Sequence, residues 1–277
     1  MGDVYLDHMT RLPSEVRRLN EQFDVMTEIM GYIVHPSVKL SPNPHIVDMG
    51  TGTAKFLLSI QPTYPEATLE GYDISSDLYP PPATLPPNLT LGELDLKQPF
   101  PESMHGKYDL VHVRMLILAM LPEDWEPVVR NLTTLLKPGG YLQWEECEHV
   151  NAEWCQGKPD SSIEKSKYIG DAFQTSLRGR LAHGWSTLPE HMRSAGLTPV
   201  INDVLSSERA PQIRKRSTAT IMNLIFTWAR MVNGPGGPGS TFGDRLDILE
   251  KEAHQEIEAG CYLKYNVHVA CGQKAPL

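Results

Sequence analysis

The sequence predicts an α/β fold, a doubly wound and mostly parallel sheet of seven strands, with one helical segment in front and a second inserted after the fifth strand. Three observations carry this. Short apolar runs alternate with stretches of helical periodicity between His45 and Glu145, which is the pattern of parallel βαβ units. The first two runs end in a glycine turn and an acid, the residue types that gather at the carboxyl ends of strands in open α/β sheets. Finally, 277 residues with 40% hydrophobic and 21% charged side chains suit one α/β core with an appendage rather than a disordered or disulfide-built chain.

From Ser14 the apolar residues Val16, Leu19, Phe23, Met26 and Met30 recur at steps of three and four, so one face of an amphipathic helix precedes the core and Gly31 ends it. HPSVKLSPNP then leads into the first strand, His45–Met49, whose GTGTAKFLLSI continuation is a glycine turn opening a helix. Further strands are expected at Thr68–Ile74, Leu89–Leu96, Tyr108–Val113 and Gly140–Glu145, with a helix from Trp125 to Leu136. Between the second and third lies YPPPATLPPN, five prolines in ten residues, read as an extended surface spacer too stiff for a helix. Residues 160–183 read as a helical insertion, 197–205 as a sixth strand, 217–233 and 242–259 as helices flanking NGPGGPGS, and CYLKYNVHVACG as a final strand. The division expected is a helical lid over 1–40, a ligand-binding core over 41–150, a cap over 151–190, and the rest of the core with its added helices over 191–277.

Composition removes several function classes. The balance of 34 acidic against 25 basic side chains, net −9, offers no general attraction for nucleic acid. A basic knot at Arg209, Arg214, Lys215 and Arg216 reads as a solvated helix start, with a phosphate patch as the alternative. The longest apolar run, Val111 to Leu121, is broken by Arg114 and falls well short of the roughly 20 residues that span a bilayer. No secretory leader is visible, so a cytoplasmic location is expected. The four cysteines lack zinc-site spacing and are read as free thiols, with no metal site.

Chemistry is expected at the strand ends. Asp48, Gly50, Thr51 and Gly52 follow the first strand, where the glycines let a ligand approach the backbone. Asp73, with Ile74 after it, closes the second strand, where a carboxylate can accept both hydroxyls of a ribose. A nicotinamide enzyme would carry a third glycine at position 55, which is Lys55. The run Asp48-x-Gly50-x-Gly52-x-Ala54 instead resembles the first motif of class I S-adenosylmethionine-dependent methyltransferases, with Ala54 in place of the last glycine. HPS before that motif, YDLVHVRML and LKPGGYLQWEE extend the likeness to fungal methyltransferases of secondary metabolism, a group that includes velvet-associated regulators.

That resemblance implies a Rossmann-like methyltransferase fold, S-adenosylmethionine as cofactor, S-adenosylhomocysteine as product, and a small natural-product or peptide-derived acceptor. Asp73 would hold the ribose, Asp95 and Leu96 the adenine edge, and Arg114 would lie beside the donor or form a structural ion pair. Tyr5 and the helix bearing Arg18 and Gln22 would close over the donor, with Phe23 standing where relatives carry histidine. A regulator acting through partners and a non-methylating, cyclase-like relative share these donor motifs. The bases to consider are His149 after the fifth strand and His183 in the cap; His112, within a strand, reads as a packed residue. Glu145 and Glu146 would either order the acceptor or mark a solvated strand end.

Overall fold

The computed structural model describes residues 13–233 and 245–276. Tyr5 and the GPGGPGS that follows Asn233 lie outside the described residues. The chain forms two compact units, Met30–Cys147 with His183–Val204 and Val267–Leu277, and Glu148–Ala182 with Leu205–Asn266 and the chain up to Ile29. This departs from the sequence-based division: the helices of 217–259 group with the segment after the fifth strand and with the leading helix, not with the sheet unit. The physical reason is that their apolar faces find one another.

The sheet unit is built on β1 (His45–Met49), β2 (Thr68–Asp73), β3 (Leu89–Glu93), β4 (Tyr108–Arg114) and β5 (Leu136–Cys147). With β7 (Leu197–Ser206) and β9 (Asn266–Lys274) they make a seven-stranded sheet in the order β3-β2-β1-β4-β5-β9-β7. The pairs β1–β2, β2–β3, β1–β4 and β4–β5 are parallel, and β5–β9 is antiparallel. Parallel strands are covered on both faces and read as unbroken apolar runs. Accordingly Ile46, Val47, Leu69, Leu110, Val111 and Leu142 are all buried. Strand order reverses between β1 and β4, where open α/β sheets bind their ligands.

Helix α2 (Lys55–Ile60) follows β1 and α3 (Trp125–Leu135) leads into β5. Val128, Val129, Leu132 and Leu135 give α3 a buried stripe, and Trp125 meets Trp144 of β5 with ring centroids 5.3 Å apart. The strand β5 begins four residues earlier than its apolar run because Leu136 already pairs with Tyr108 across an irregularity in β4. The proline segment is not wholly extended: Pro82–Thr84 make one 3₁₀ turn, since proline at a first helical position forfeits no needed N–H.

The second unit holds α1 (Pro13–Met30, as far as Ile29), α4 (Glu164–Leu181), α6 (Arg214–Asn233), α7 (Leu246–Ala259) and a two-stranded sheet of β6 (Glu153–Gln156) with β8 (Cys261–Lys264). Phe173 of α4 and Trp228 of α6 meet edge to face at 5.4 Å. Glu256 of α7 caps the start of α4, accepting from Lys165 N, Ser166 N and the Ser162 hydroxyl at 3.1, 2.8 and 2.5 Å, where a carboxylate meets the positive end of the helix dipole. The basic knot is matched by carboxylates: Arg214 with Glu208, Lys215 with Glu258, Arg216 with Glu21 and Glu28. Among the described residues no helix is long and apolar enough to cross a membrane.

Candidate functional site

At the switch point the loop after β1 turns on three residues with left-handed backbone, Gly50 (φ 75°), Gly52 (φ 52°) and Ala54 (φ 58°). Gly50 N and Thr51 N both donate to Tyr72 O, at 2.8 and 3.0 Å, so the loop rides on the end of β2. Gly52 N donates to Asp73 Oδ2 and Ile74 N to Asp73 Oδ1, each at 2.8 Å. Asp73 therefore fixes the turn, tying the glycine loop to the end of β2. The loop after β3 is drawn to the same place, Leu94 N donating to Asp73 O at 2.8 Å, and Asp95 accepts from Lys97 N at 2.9 Å. Leu96 follows in that loop, half-buried.

Ala54 stands in a conformation that costs an L-residue about 1–2 kcal/mol. Ala54→Gly is expected to stabilise the protein by about 1 kcal/mol, read as a raised thermal midpoint. A lowered midpoint would show instead that its wholly buried methyl packs well enough to outweigh the backbone strain.

Asp48 does not open toward a ligand. It is buried, its Oδ2 accepts from the Thr51 hydroxyl at 2.7 Å, and its Oδ1 lies 2.7 Å from His112 Nδ1. His112 stacks flat on Phe56 at 3.5 Å between centroids and turns Nε2 toward Glu145 Oε1 at 3.5 Å. Burial opposes a charge on His112, but Asp48 and then Glu145 outweigh it and raise the imidazole above its usual range. Glu145 also receives Arg114 Nε and, at 2.5 Å, Gln143 Nε2. Burial pushes its carboxyl up, yet Arg114 and His112 bring it down to about 2. The HPS segment joins this network, His35 N donating to Gln143 Oε1 at 2.8 Å, with His35 Nε2 3.1 Å from Asp203 Oδ2. Arg114, Asp48 and His112, with Glu145, thus tie β1, β4 and β5 together from within.

Glu146, next in sequence and on the opposite face of β5, is in a different state. Burial drives its carboxyl up to about 8, only partly offset by N–H donors from Trp144 and from the backbone at Leu116 and Ile117. Both glutamates are completely buried, which corrects the solvated-strand-end reading.

Of the remaining expected residues, Gln22 is half-buried on α1. His149 and His183 fall in different units, so the cap of 151–190 is not one body. His149 is buried, and loss of solvation lowers its imidazole to about 4; its Nε2 has no partner. His183 sits in the turn before α5 (Leu188–Ser194), its carbonyl accepting from Trp185 N at 3.1 Å. Sequence reasoning passed over two residues. Tyr79, inside the proline segment, donates to Gly92 O at 2.6 Å and feels the charge of Asp73; an aromatic flanking the prolines was the available signal. Met115, directly after β4, has φ 55°, and its sequence gives no sign of that.

The described "Methyltransferase domain" family matches residues 15–196. The chain belongs to the methyltransferase family. It is 30% identical to N-methyltransferase tcpN of Claviceps purpurea over 90% of this chain and 91% of that protein. Against methyltransferase psoC of Aspergillus fumigatus the identity is 34%, over 94% and 93%. Phosphoethanolamine N-methyltransferase 2 of Haemonchus contortus, solved with S-adenosyl-L-methionine, shares the fold at TM-score 0.50 and 15% identity, over 92% of this chain. This methyltransferase spans about half of that solved chain (52%). The methyl donor of the family is S-adenosylmethionine. The residues at the switch point suit such a group: a left-handed glycine turn lets a ligand approach the backbone, and the Asp73 carboxylate, an acceptor of the kind ribose hydroxyls need, stands at the end of β2.

Proposed function

We propose that this methyltransferase moves the methyl group of S-adenosylmethionine to a nitrogen of a small natural-product or peptide-derived acceptor in fungal secondary metabolism. The observation that carries the donor half is the Asp73 carboxylate at the end of β2, tied by Gly52 N and Ile74 N to the left-handed glycine turn. The acceptor half rests on the likeness to tcpN, an N-methyltransferase by name. When bound, the sulfonium supplies an electrophilic methyl for in-line displacement.

The chain's own residues have the rest to do. Asp73 takes the two ribose hydroxyls, and Asp95 with Leu96 borders the adenine. Gly50, Thr51 and Gly52 bring the loop backbone close, while Arg114, tied to Glu145, presents fixed positive charge near the donor. By resemblance alone, Gln22 and Tyr5 are further candidates for donor contact. Alignment in such a site can supply roughly 7–11 kcal/mol of barrier reduction. A neutral amine acceptor needs little further help, whereas an amide N–H needs a base.

His149 is a neutral imidazole at physiological pH because burial keeps it so, and it is the base in the amide version, with His183 as the other histidine to test. If His149 takes the proton, His149→Ala lowers kcat by about 10²–10⁴ and abolishes the acid limb of the pH–rate profile; His183→Ala leaves that limb in place. A limb that survives in His149→Ala removes it from the mechanism. The reading as a whole is tested by calorimetric titration with S-adenosylmethionine and separately with NAD, followed by mass analysis of acceptors. Binding of the first alone and a product heavier by one methyl are expected; binding without any mass gain would favour a non-methylating relative.

A further inference from the structure

Glu146 is used by nothing derived so far. At the end of β5 its Oε1 accepts from Leu116 N and from Trp144 Nε1, both at 2.8 Å, while Oε2 has no partner and no access to solvent. A buried carboxyl left half-paired is costly, and such a group in a packed core points to a task.

The task lies in the turn it holds. Met115 has left-handed backbone, rare and unfavourable for a side chain of its size. Its N–H donates to Glu145 O at 2.9 Å, and the following N–H, of Leu116, goes to the Glu146 side chain. Two consecutive glutamates, one through its carbonyl and one through its carboxyl, thereby hold a strained turn at the end of β4. The Leu116 side chain then abuts the glycine loop: a Cβ placed on Gly50 would come within 2.9 Å of Leu116 Cδ2. Gly50 begins the turn that ends with Gly52 N on Asp73. A continuous line of contact runs from Trp144 and Glu146 through Leu116 to Gly50.

We propose that Glu146 is a positioning residue of the donor site, holding the turn after β4 so that Leu116 sets the glycine loop in its ligand-ready shape. This rests on the reading that the loop holds a sulfonium nucleoside, and it extends that reading to a residue that touches no ligand. The neutral state that burial favours suits the role, because a protonated acid keeps one oxygen free to accept both N–H groups without placing a charge under the loop.

The test compares Glu146→Ala, Glu146→Gln and Leu116→Ala with the parent protein by amide hydrogen exchange without ligand and by calorimetric titration with S-adenosylmethionine. Glutamine offers an amide oxygen to the same two donors, so its exchange at residues 50–54 and its affinity should stay within about threefold of the parent. Alanine at 146 should speed exchange at residues 50–54 by about tenfold or more and weaken binding by a similar factor. Leu116→Ala should loosen the same residues and serves if Glu146→Ala does not fold. A folded Glu146→Ala protein with unchanged exchange at residues 50–54 overturns the proposal, as does Glu146→Gln behaving like alanine. Should the parent fail to bind S-adenosylmethionine while the exchange pattern appears as expected, the donor-site reading falls and the positioning role stands.

Discussion

Replacing Asp73 with alanine is expected to weaken S-adenosylmethionine binding by about 30-fold or more, because two hydrogen bonds to a charged group are lost at roughly 1.5–3 kcal/mol each before compensation by water. The loss should exceed that of a simple ligand contact. Asp73 also accepts from Gly52 N, so the alanine variant releases the glycine turn at the moment it removes the proposed ribose acceptor. Asp73→Asn keeps one carbonyl oxygen and should fall between the two. The control is Pro82→Ala: Pro82 opens a 3₁₀ turn in the proline segment and should change affinity less than about twofold. Calorimetric titration of the three proteins decides the matter. Equal losses for Asp73→Ala and Pro82→Ala, or none for Asp73→Ala, would strip the second-strand acid of its assignment.

The strands were legible for a simple reason. A parallel strand covered on both faces must be apolar throughout, and HIV, LEGYD and DLVHV announce themselves. Glycines at 50 and 52 were legible because backbone chirality restricts the residue type at a left-handed turn, and the acid at 73 because it closes a strand beside the point where strand order reverses. Other features were not. The run from Cys261 to Gly272 reads as one strand, yet it divides at Tyr265, whose N–H goes to the Ser207 hydroxyl at 3.1 Å and whose own hydroxyl meets Ser217 at 2.8 Å. β8 therefore pairs with the short, polar β6, which no pattern disclosed. The separation of two units escaped because each is assembled from discontinuous segments, and periodicity reports a helix's apolar face without naming what covers it. Least legible were the twin glutamates. Adjacent residues on a strand point to opposite faces, so Glu145 meets Arg114 and His112 while Glu146 sits beneath Trp144 and the Leu116 amide. One is driven to about 2 and the other to about 8.

Glu145 is also where the largest loss of stability is expected. It is the shared partner of Arg114, His112 and Gln143, and removing one member of a buried charge network leaves the others uncompensated at about 3–5 kcal/mol. For a chain of this size that corresponds to a fall of roughly 10 °C in melting midpoint. The pH dependence separates this network from mere packing. The folded Glu145 carboxyl titrates near 2, below the ordinary 4.5, so its contribution of about 3 kcal/mol is present above pH 4.5 and disappears as pH falls toward 2. His112 is displaced upward, so its contribution is complete below 6.5 and is lost as pH rises through the folded value. The network should consequently support the fold best between these two limits, with an acid flank belonging to Glu145 and an alkaline flank belonging to His112. Urea unfolding of the parent, Glu145→Gln and His112→Ala proteins from pH 3 to 9 would read both flanks. Glu145→Gln should flatten the acid side and His112→Ala the alkaline side. A parent protein whose acid flank is unchanged by Glu145→Gln would show that other carboxylates hold the strand ends, and that the chain from Asp48 to Arg114 is packing with incidental charge.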